Sequence, residues 1–438
     1  MSIRHVTKSG NDSNSGLTLA LAKKTIGGAV SASSAGDEVH VYRGVYKESV
    51  SMPAFNSASG FILKAIGNVI IDGENLRGVG ITHSFNNTGT NVSTVDGFTI
   101  INHTFAGVLH TGNNFGSGSL VEALTRNCII RNNVIGIRGG SNDLISSGYS
   151  VDSQFNTIYD CSAAGIHMSS LGGGFSPQLR MKSNTIFNCG AGLRDERNNN
   201  AGGTIFSNIL ASCGIGLNFN ANSSIGGTLD FNDYFGNTSA GKMSSTLYAT
   251  FAAWKTATGK DASSIGTDPL HVDSSVRLFA LQSTSPCVGT GMNGENIGGH
   301  GKSMFSLSNL FSPADFAAGI FTDTQIGGLG KIEIVPPATV GTYASVVKDI
   351  GNIQFQKITG IELAASELNP LDVVDTDNTD TAPNSQKIEV RMSASSFSPT
   401  AGSPAWVALE VGSNTTLPTV KGRYIQFRLT LRNDGVEA

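Results

Sequence analysis

Between about residues 95 and 240 the chain repeats one short pattern: a Gly or Asn, a few mostly apolar residues, then an Asn or Cys. Its copies are Gly97–Asn102, Asn127–Asn132, Asn156–Cys161, Asn184–Cys189, Asn208–Cys213 and Asn232–Asn237, with starts 30, 29, 28, 24 and 24 residues apart. Eight to ten residues after each of the first five starts comes a Gly followed by an aliphatic: Gly107, Gly136, Gly165, Gly192 and Gly216 lead Val108, Ile137, Ile166, Leu193 and Leu217. Each period therefore holds at least two short strands joined by a tight corner, with a variable loop closing it. That is one coil of a parallel β-solenoid. The Leu-x-x-Leu-x-Leu pattern of a leucine-rich repeat is absent.

In a solenoid, equivalent positions of successive coils stack about 4.8 Å apart and their side chains form ladders. The last position of the pattern reads Asn102, Asn132, Cys161, Cys189, Cys213, Asn237, which predicts an interior thiol ladder continuing an asparagine ladder. Cysteine as a small buried hydrophobe explains the three thiols; a metal or redox triad is the alternative. Cys128 and Cys287 fall elsewhere in the pattern. One position earlier, Arg131 is expected to stack on Asp160 as a surface ion pair between coils.

After about residue 303 the asparagine pattern ends. Residues 303–330 read as a connector with one short helical stretch, followed by longer alternating strands at Lys331–Val335, Ile353–Ile358, Lys387–Met392, Ala405–Leu409 and Gly422–Arg432. The division is thus a solenoid over 1–302, a connector over 303–330 and a β-sandwich over 331–438. In the last strand Tyr424, Gln426, Arg428 and Thr430 share one face, and Ile425, Phe427, Leu429 and Leu431 the other. The polar face makes Tyr424, Gln426 and Arg428 candidates for binding a glycan or a partner.

Composition sharpens this picture. The chain holds 54 glycines and 36 asparagines, both tolerant of positive φ at corners, and only 14% charged residues. Charge-rich helical bundles and coiled coils are excluded. Lys and Arg number 29 against 33 Asp and Glu, a net charge of −4, without the basic run that would neutralise a phosphate backbone. Nucleic acid is therefore not an expected partner. The opening sixteen residues turn polar at once and lack a secretory signal's apolar stretch, and no stretch approaches the roughly 20 apolar residues of a membrane span. Five cysteines without zinc-type spacing leave at least one thiol unpaired within the chain.

The repeat, with the opening motifs His5–Gly16, Lys24–Val30 and Gly36–Tyr46, resembles right-handed parallel β-helix proteins of the pectate-lyase-like superfamily over roughly residues 3–302. The resemblance implies an N-terminal cap helix, here at about 17–33, which would cover the open end of the first coil. Thr267–Val272, Ser285–Gly291 and Asn296–Gly299 resemble the family's last coils. Gly299–Gly301 is similar to a motif of its polygalacturonase branch without that branch's paired aspartates, and reads as structural. Gly341–Gly351, Trp406 and Arg423–Leu431 resemble jelly-roll modules of phage virion proteins and extracellular carbohydrate-active proteins.

Lyases on this fold join a calcium site to an Arg or Lys base, and hydrolases use two or three carboxylates across the bond. The best local candidates are Arg194, Asp195, Glu196 and Arg197, on a loop leaving the strand that begins at Gly192, with Asp160 and Lys182 nearby and Asp230 and Asp233 one to two coils on. A solvated loop with self-neutralising charges is the competing reading. No Asp column supports a calcium centre, and His103, His110 and His167 lack metal-ligand spacing, so no metal and no cofactor is expected.

The fold is shared by polysaccharide lyases and hydrolases, adhesins and phage tailspikes, fibres and decorations. The absent signal, the absent acidic centre and the C-terminal module favour a bacteriophage virion structural protein. Such a protein is made in the host cytoplasm, released by lysis, and partnered by other virion proteins and a host surface polysaccharide. The resemblance admits homotrimers and monomers alike. A polysaccharide-degrading enzyme is the alternative, and an adhesin the third reading.

Overall fold

The computed structural model describes residues 2–52, 60–86, 91–113, 121–141, 149–170, 178–197, 203–220 and 227–299 (276 and 283 apart). Further on it describes 318–322, 324–326, 332–334, 340–345, 347–349, 373–374, 385–393, 396, 398–403, 405–408 and 424–432. The chain forms two compact units: Met1–Leu270 with Thr284–Lys302, and His271–Ser283 with Ser303–Ala438.

The first unit is an all-β parallel solenoid. Six successive coils each carry three strands, the first of these coils running through Asn91–Asp96, Thr99–Ile101 and Ala106–Asn113 and the last through Leu229–Asp230, Asp233–Phe235 and Ser239–Met243. Two earlier coils fuse the first two strands into one long strand, Glu38–Tyr46 and Phe61–Asp72. Equivalent strands pair in parallel, so three faces rise along the axis. The core is a set of stacked columns: Ile71, Ile100, Ile130, Ile158, Ile186 and Leu210 on the second face, Val108, Ile137, Ile166, Leu193 and Leu217 on the third.

Two corners per coil turn through left-handed residues. The first uses Gly97, Asn127, Phe155, Ser183, Ser207 and Phe231; the second uses Asn102, Asn132, Asp160, Asn188, Ser212 and Gly236. Immediately after the first corner come Asn156, Asn184, Asn208 and Asn232, all fully buried. Each carboxamide donates to the next, Asn156 to Asn184 at 3.1 Å, Asn184 to Asn208 and Asn208 to Asn232 at 3.0 Å, while accepting from the preceding coil's backbone amide. Cys128 heads this column, its amide donating to Asn156 at 2.9 Å.

The expected thiol ladder is present with Asn237 below it as expected, but it is shifted by one residue from the asparagines expected above it. Cys161, Cys189 and Cys213 stack in register with Asn133 above and Asn237 below, whereas Asn132 belongs to the left-handed column outside. The cause is that a corner has two adjacent positions that favour Asn: one needs positive φ, the next a bridging amide. The same shift separates Arg131 from Asp160. Arg131 aligns with Tyr159, and Asp160 instead accepts from Asn188 at 2.6 Å. All five cysteines are buried, and none is in a disulfide.

Both ends of the solenoid are capped. At the N-terminus α1 (Ile26–Ser31) buries Ile26, Ala29 and Val30, with Thr25 and the Glu48 carboxylate capping its first amides. It is shorter than the expected 17–33. A single 3-10 turn at Leu19–Leu21 precedes it, and between the two Asp12 accepts from the amides of Lys24 and Thr25 while Lys23 bridges to Val6, which keeps the chain non-helical until Thr25. At the other end α2 (Phe251–Thr258) runs from the Thr250 cap to left-handed Gly259. Its Trp254 is fully buried, stacked on Phe219 at 6.1 Å, with Nε1 donating to Asp261. The stretches expected as last coils do not form coils. His271–Asp273 and Leu278–Leu281 make an antiparallel hairpin in the second unit, and 284–299 folds back outside the solenoid.

In the second unit, the described residues form a largely antiparallel sheet ordered Ile320–Thr322, Val340–Ala344, Tyr424–Arg432, Ser385–Ser393, Val373–Val374, with Lys348–Asp349 and Val407–Ala408 pairing alongside. Thr324–Ile326 and Ile332–Ile334 form a separate hairpin. Tyr343 and Phe427 are buried, with ring centroids 5.7 Å apart. The expected strand Ile353–Ile358 and the helical stretch of the connector lie outside the described residues.

Candidate functional site

Arg194, Asp195 and Glu196 lie within the third-face strand Ala191–Glu196, not on a loop, and Arg197 follows it directly. Strand alternation then splits the run. Asp195 registers with Met168 and Phe219 and points into the core. Arg197 folds inward after it, with Nε 2.8 Å and Nη2 2.6 Å from the two carboxylate oxygens and its amide 3.1 Å from Oδ1. Both are almost wholly buried, a bidentate pair whose separation would leave an uncompensated charge in the core.

Arg194 and Glu196 point outward and join a cluster that crosses coils. Register places Arg138, His167 and Arg194 in one outward column and Ser169 beside Glu196 in the next. Glu196 accepts from Arg194 Nε at 2.8 Å and meets His167 Nε2 at 2.9 Å. Arg138 lies over the Phe105 ring at 4.7 Å and reaches Ser169 Oγ at 3.5 Å. Burial raises the cost of ionising Glu196, but the Arg194 and His167 hydrogen bonds outweigh it and hold the carboxyl below its usual range. Burial lowers the His167 imidazole, opposed by Glu196. This is an ionised, internally satisfied strip suited to gripping a polar chain rather than to donating a proton.

The other expected partners lie elsewhere. Asp160 is at the second corner, Lys182 and Asp230 share an outward column of the first face, and Asp233 is fully buried on the second. His110 points into the core, where it bonds Thr125 Oγ1 at 2.8 Å and faces His83 at 5.6 Å. His103 is buried at the second corner, lining a shallow groove of about 370 Å³ with Asn75, Asn132 and Asp160. Among the described residues no three His, Cys, Asp or Glu side chains come together as a metal site.

A second outward cluster was not anticipated. On the first face, Arg180 lies 3.4 Å from Glu122 and 3.8 Å from Asp152, and Gln154 donates to Asp152 at 3.0 Å. Asp152 is 1% exposed, and burial, reinforced by Glu122, pushes its carboxyl up to about 6. The signal lay in position: Asp152 and Arg180 each stand four residues before a ladder asparagine, so aligning whole coils rather than their anchors stacks them.

In the second unit Gln426 is fully buried. It accepts from Arg391 Nε at 2.7 Å, and its amide reaches the Ser345 and Pro399 carbonyls. Arg391 and Arg428 lie over Trp406 at 4.4 and 4.6 Å. Tyr424 and Arg428 remain half-buried, so the polar face of the last strand is partly covered by its neighbours.

No known family model matches the chain. No curated protein matches it in sequence. Among solved structures it is similar to the pectate lyase Pel9A, at 12% identity over 68% of this chain and 96% of that one, with a TM-score of 0.31. It is also similar to a rhamnogalacturonan lyase, at 10% identity over 61% and 87%, with a TM-score of 0.19. No described helix is long and apolar enough to cross a membrane.

Proposed function

We propose that the chain is a structural protein of a bacteriophage particle, a tail fibre, spike or head-attached decoration, whose solenoid is the stiff body and whose third-face strip contacts host glycan. The observation that carries this reading is the side-chain ladder running through four coils between two capped ends. Nearest-neighbour stacking of that kind makes a rod whose stability adds coil by coil. The self-neutralised Arg194–Glu196–His167 cluster fits adhesion better than acid catalysis.

One observation favours a second reading, a polysaccharide-degrading enzyme. Asp152, raised to about 6 beside Glu122 and Arg180, is a carboxyl that can hold a proton near neutral pH. The deciding experiment incubates the protein with a panel of bacterial surface polysaccharides and uronate polymers, and follows retention alongside new reducing ends and unsaturated products. Retention without cleavage, lost in Arg194→Ala, together with antibody labelling of particles from the source lysate, is the expected result. Cleavage abolished by Asp152→Asn, with the fold kept, would replace the structural reading by the enzymatic one.

A further inference from the structure

Residues 284–299 run back along the outside of the solenoid as a strap before the chain continues into the second unit at Ser303. Along most of its length the strap is held by backbone and hydroxyl contacts that do not titrate, with one exposed ion pair beside them. The Ser207 hydroxyl accepts from the Met292 amide at 2.9 Å and the Ser207 carbonyl from Gly298 at 2.7 Å. The Thr185 hydroxyl accepts from Gly299 at 3.0 Å, and Lys182 pairs with Glu295 at 3.2 Å.

Its root is different. The Cys287 thiol donates to Asp233 Oδ2 at 3.4 Å, and the Thr267 amide donates to Oδ1 at 3.2 Å. Asp233, Cys287 and Ile297 are all fully buried, and the Ile297 amide closes the strap on the Cys287 carbonyl at 2.8 Å. Among the described residues no cation pairs with Asp233. The titratable groups facing it are Cys287, from the strap, and Asp268, from the segment following the last coil. A carboxylate here would be buried without a counter-charge, beside a like charge.

We propose that the strap is a proton-controlled latch, closed over a neutral Asp233 and loosened when that carboxyl ionises. Burial is the largest influence on Asp233 and pushes it up to about 7; the Cys287 and Thr267 hydrogen bonds oppose the rise and Asp268 adds to it. The closed strap therefore holds a proton that the open strap, with an ordinary carboxyl near 3.8, gives up. Between those two values closure weakens about tenfold per pH unit as pH rises, and above the upper one it changes no further. The attachment of the chain leading to the second unit is thereby tied to pH, firm in acid and looser at neutrality.

Hydrogen exchange of the full-length protein tests this. Protection of peptides within 284–299, corrected for intrinsic rates and referred to coil peptides within 178–197, is measured from pH 4.5 to 8. The expected profile falls about tenfold per unit and levels off near 7. Asp233→Asn makes it flat, and Asp268→Asn, at an exposed position, moves the levelling point to lower pH. A flat profile in the parent protein, or an unchanged slope in Asp233→Asn, overturns the latch. Should Asp233→Asn fail to fold, an unmoved profile in Asp268→Asn overturns it equally.

Discussion

The buried polar residues of the solenoid interior set its response to acid. His83 and His110 stack in one inward column, and burial drives both imidazoles down, His110 to about 3 and His83 well below its ordinary range with the neighbouring ring adding to the shift. Both are neutral in the folded chain, whereas the unfolded chain protonates them near 6.5. Their contribution is therefore complete above about 6.5 and is lost as pH falls, at about 1.4 kcal/mol per unit for each histidine. Asp233 acts with the opposite sign over part of the same range, so the parent's net slope is a difference. Comparing variants isolates the imidazole: His110→Gln, which keeps a polar group opposite Thr125, is expected to lose less thermal stability between pH 7 and 5 than the parent. Equal losses in differential scanning calorimetry would show that His110 is not the acid-sensitive group. The Asp195–Arg197 pair is a residue-scale lesson of another kind. In sequence the two looked like half of a charged loop, because a run of four charged residues does not reveal that strand geometry turns every second one inward.

At the scale of a corner, one chemical rule explains both asparagine ladders and the thiols between them. Asn133 accepts from the His103 amide and donates to the Ile100 carbonyl; Asn237 does the same with the Cys213 amide and the Leu210 carbonyl. Cys213 occupies the same column, and its sulfur already lies 4.0 Å from the Ile186 carbonyl. Cys213→Asn should therefore place a carboxamide where the column has one on the next coil, and is expected to keep the melting temperature within a few degrees. Asn208→Ala is expected to lower stability by about 1–3 kcal/mol for each buried partner left unsatisfied, the Asn184 amide and the Met181 carbonyl foremost. Denaturant titration of the two variants checks the contrast, and equal losses would contradict it. This is also the scale at which the sequence was most legible. Period, corners, Gly-aliphatic strands and thiol column were all readable, since each coil repeats the same steric demands. The Gly column shows how strict they are: a Cβ at Gly165 would stand 2.5 Å from Ile186 Cγ2 and 3.0 Å from the Gly192 carbonyl. The one-residue offset escapes an alignment of anchors because Asn127 occupies the left-handed corner position, one residue before the ladder that Asn156 and Asn184 build, and the Asp152–Arg180 pair escapes it because both residues precede the anchors.

For the whole molecule, the decisive feature is that the solenoid ends in protein rather than in open strand edges. A parallel stack has no internal reason to stop, and an uncapped coil offers unpaired amides and an apolar end to the next molecule. The C-terminal stop is built around Trp254, seated over Gly241, where a Cβ would come within 2.2 Å of the indole. Below it the last ladder asparagine, Asn232, has no further asparagine to donate to. Its amide donates to Ser264 Oγ at 2.8 Å, and Asp261 collects Tyr234, Trp254 and Ser264. The sequence carried a cue for this cap in Thr250 and Gly259, which bracket an eight-residue helix. It went unread because the helix interrupts a long run of strands. Trp254→Ala is expected to cost about 3–5 kcal/mol from the lost buried ring. Unlike an equally costly core truncation such as Leu210→Ala, it should also promote end-to-end association, since it exposes the final coil. Light scattering at matched thermal stability separates the two, and a monomeric Trp254→Ala protein would mean that the strand edges are guarded by something other than the cap. If association does follow, the capped end is what keeps the solenoid from growing into a fibre.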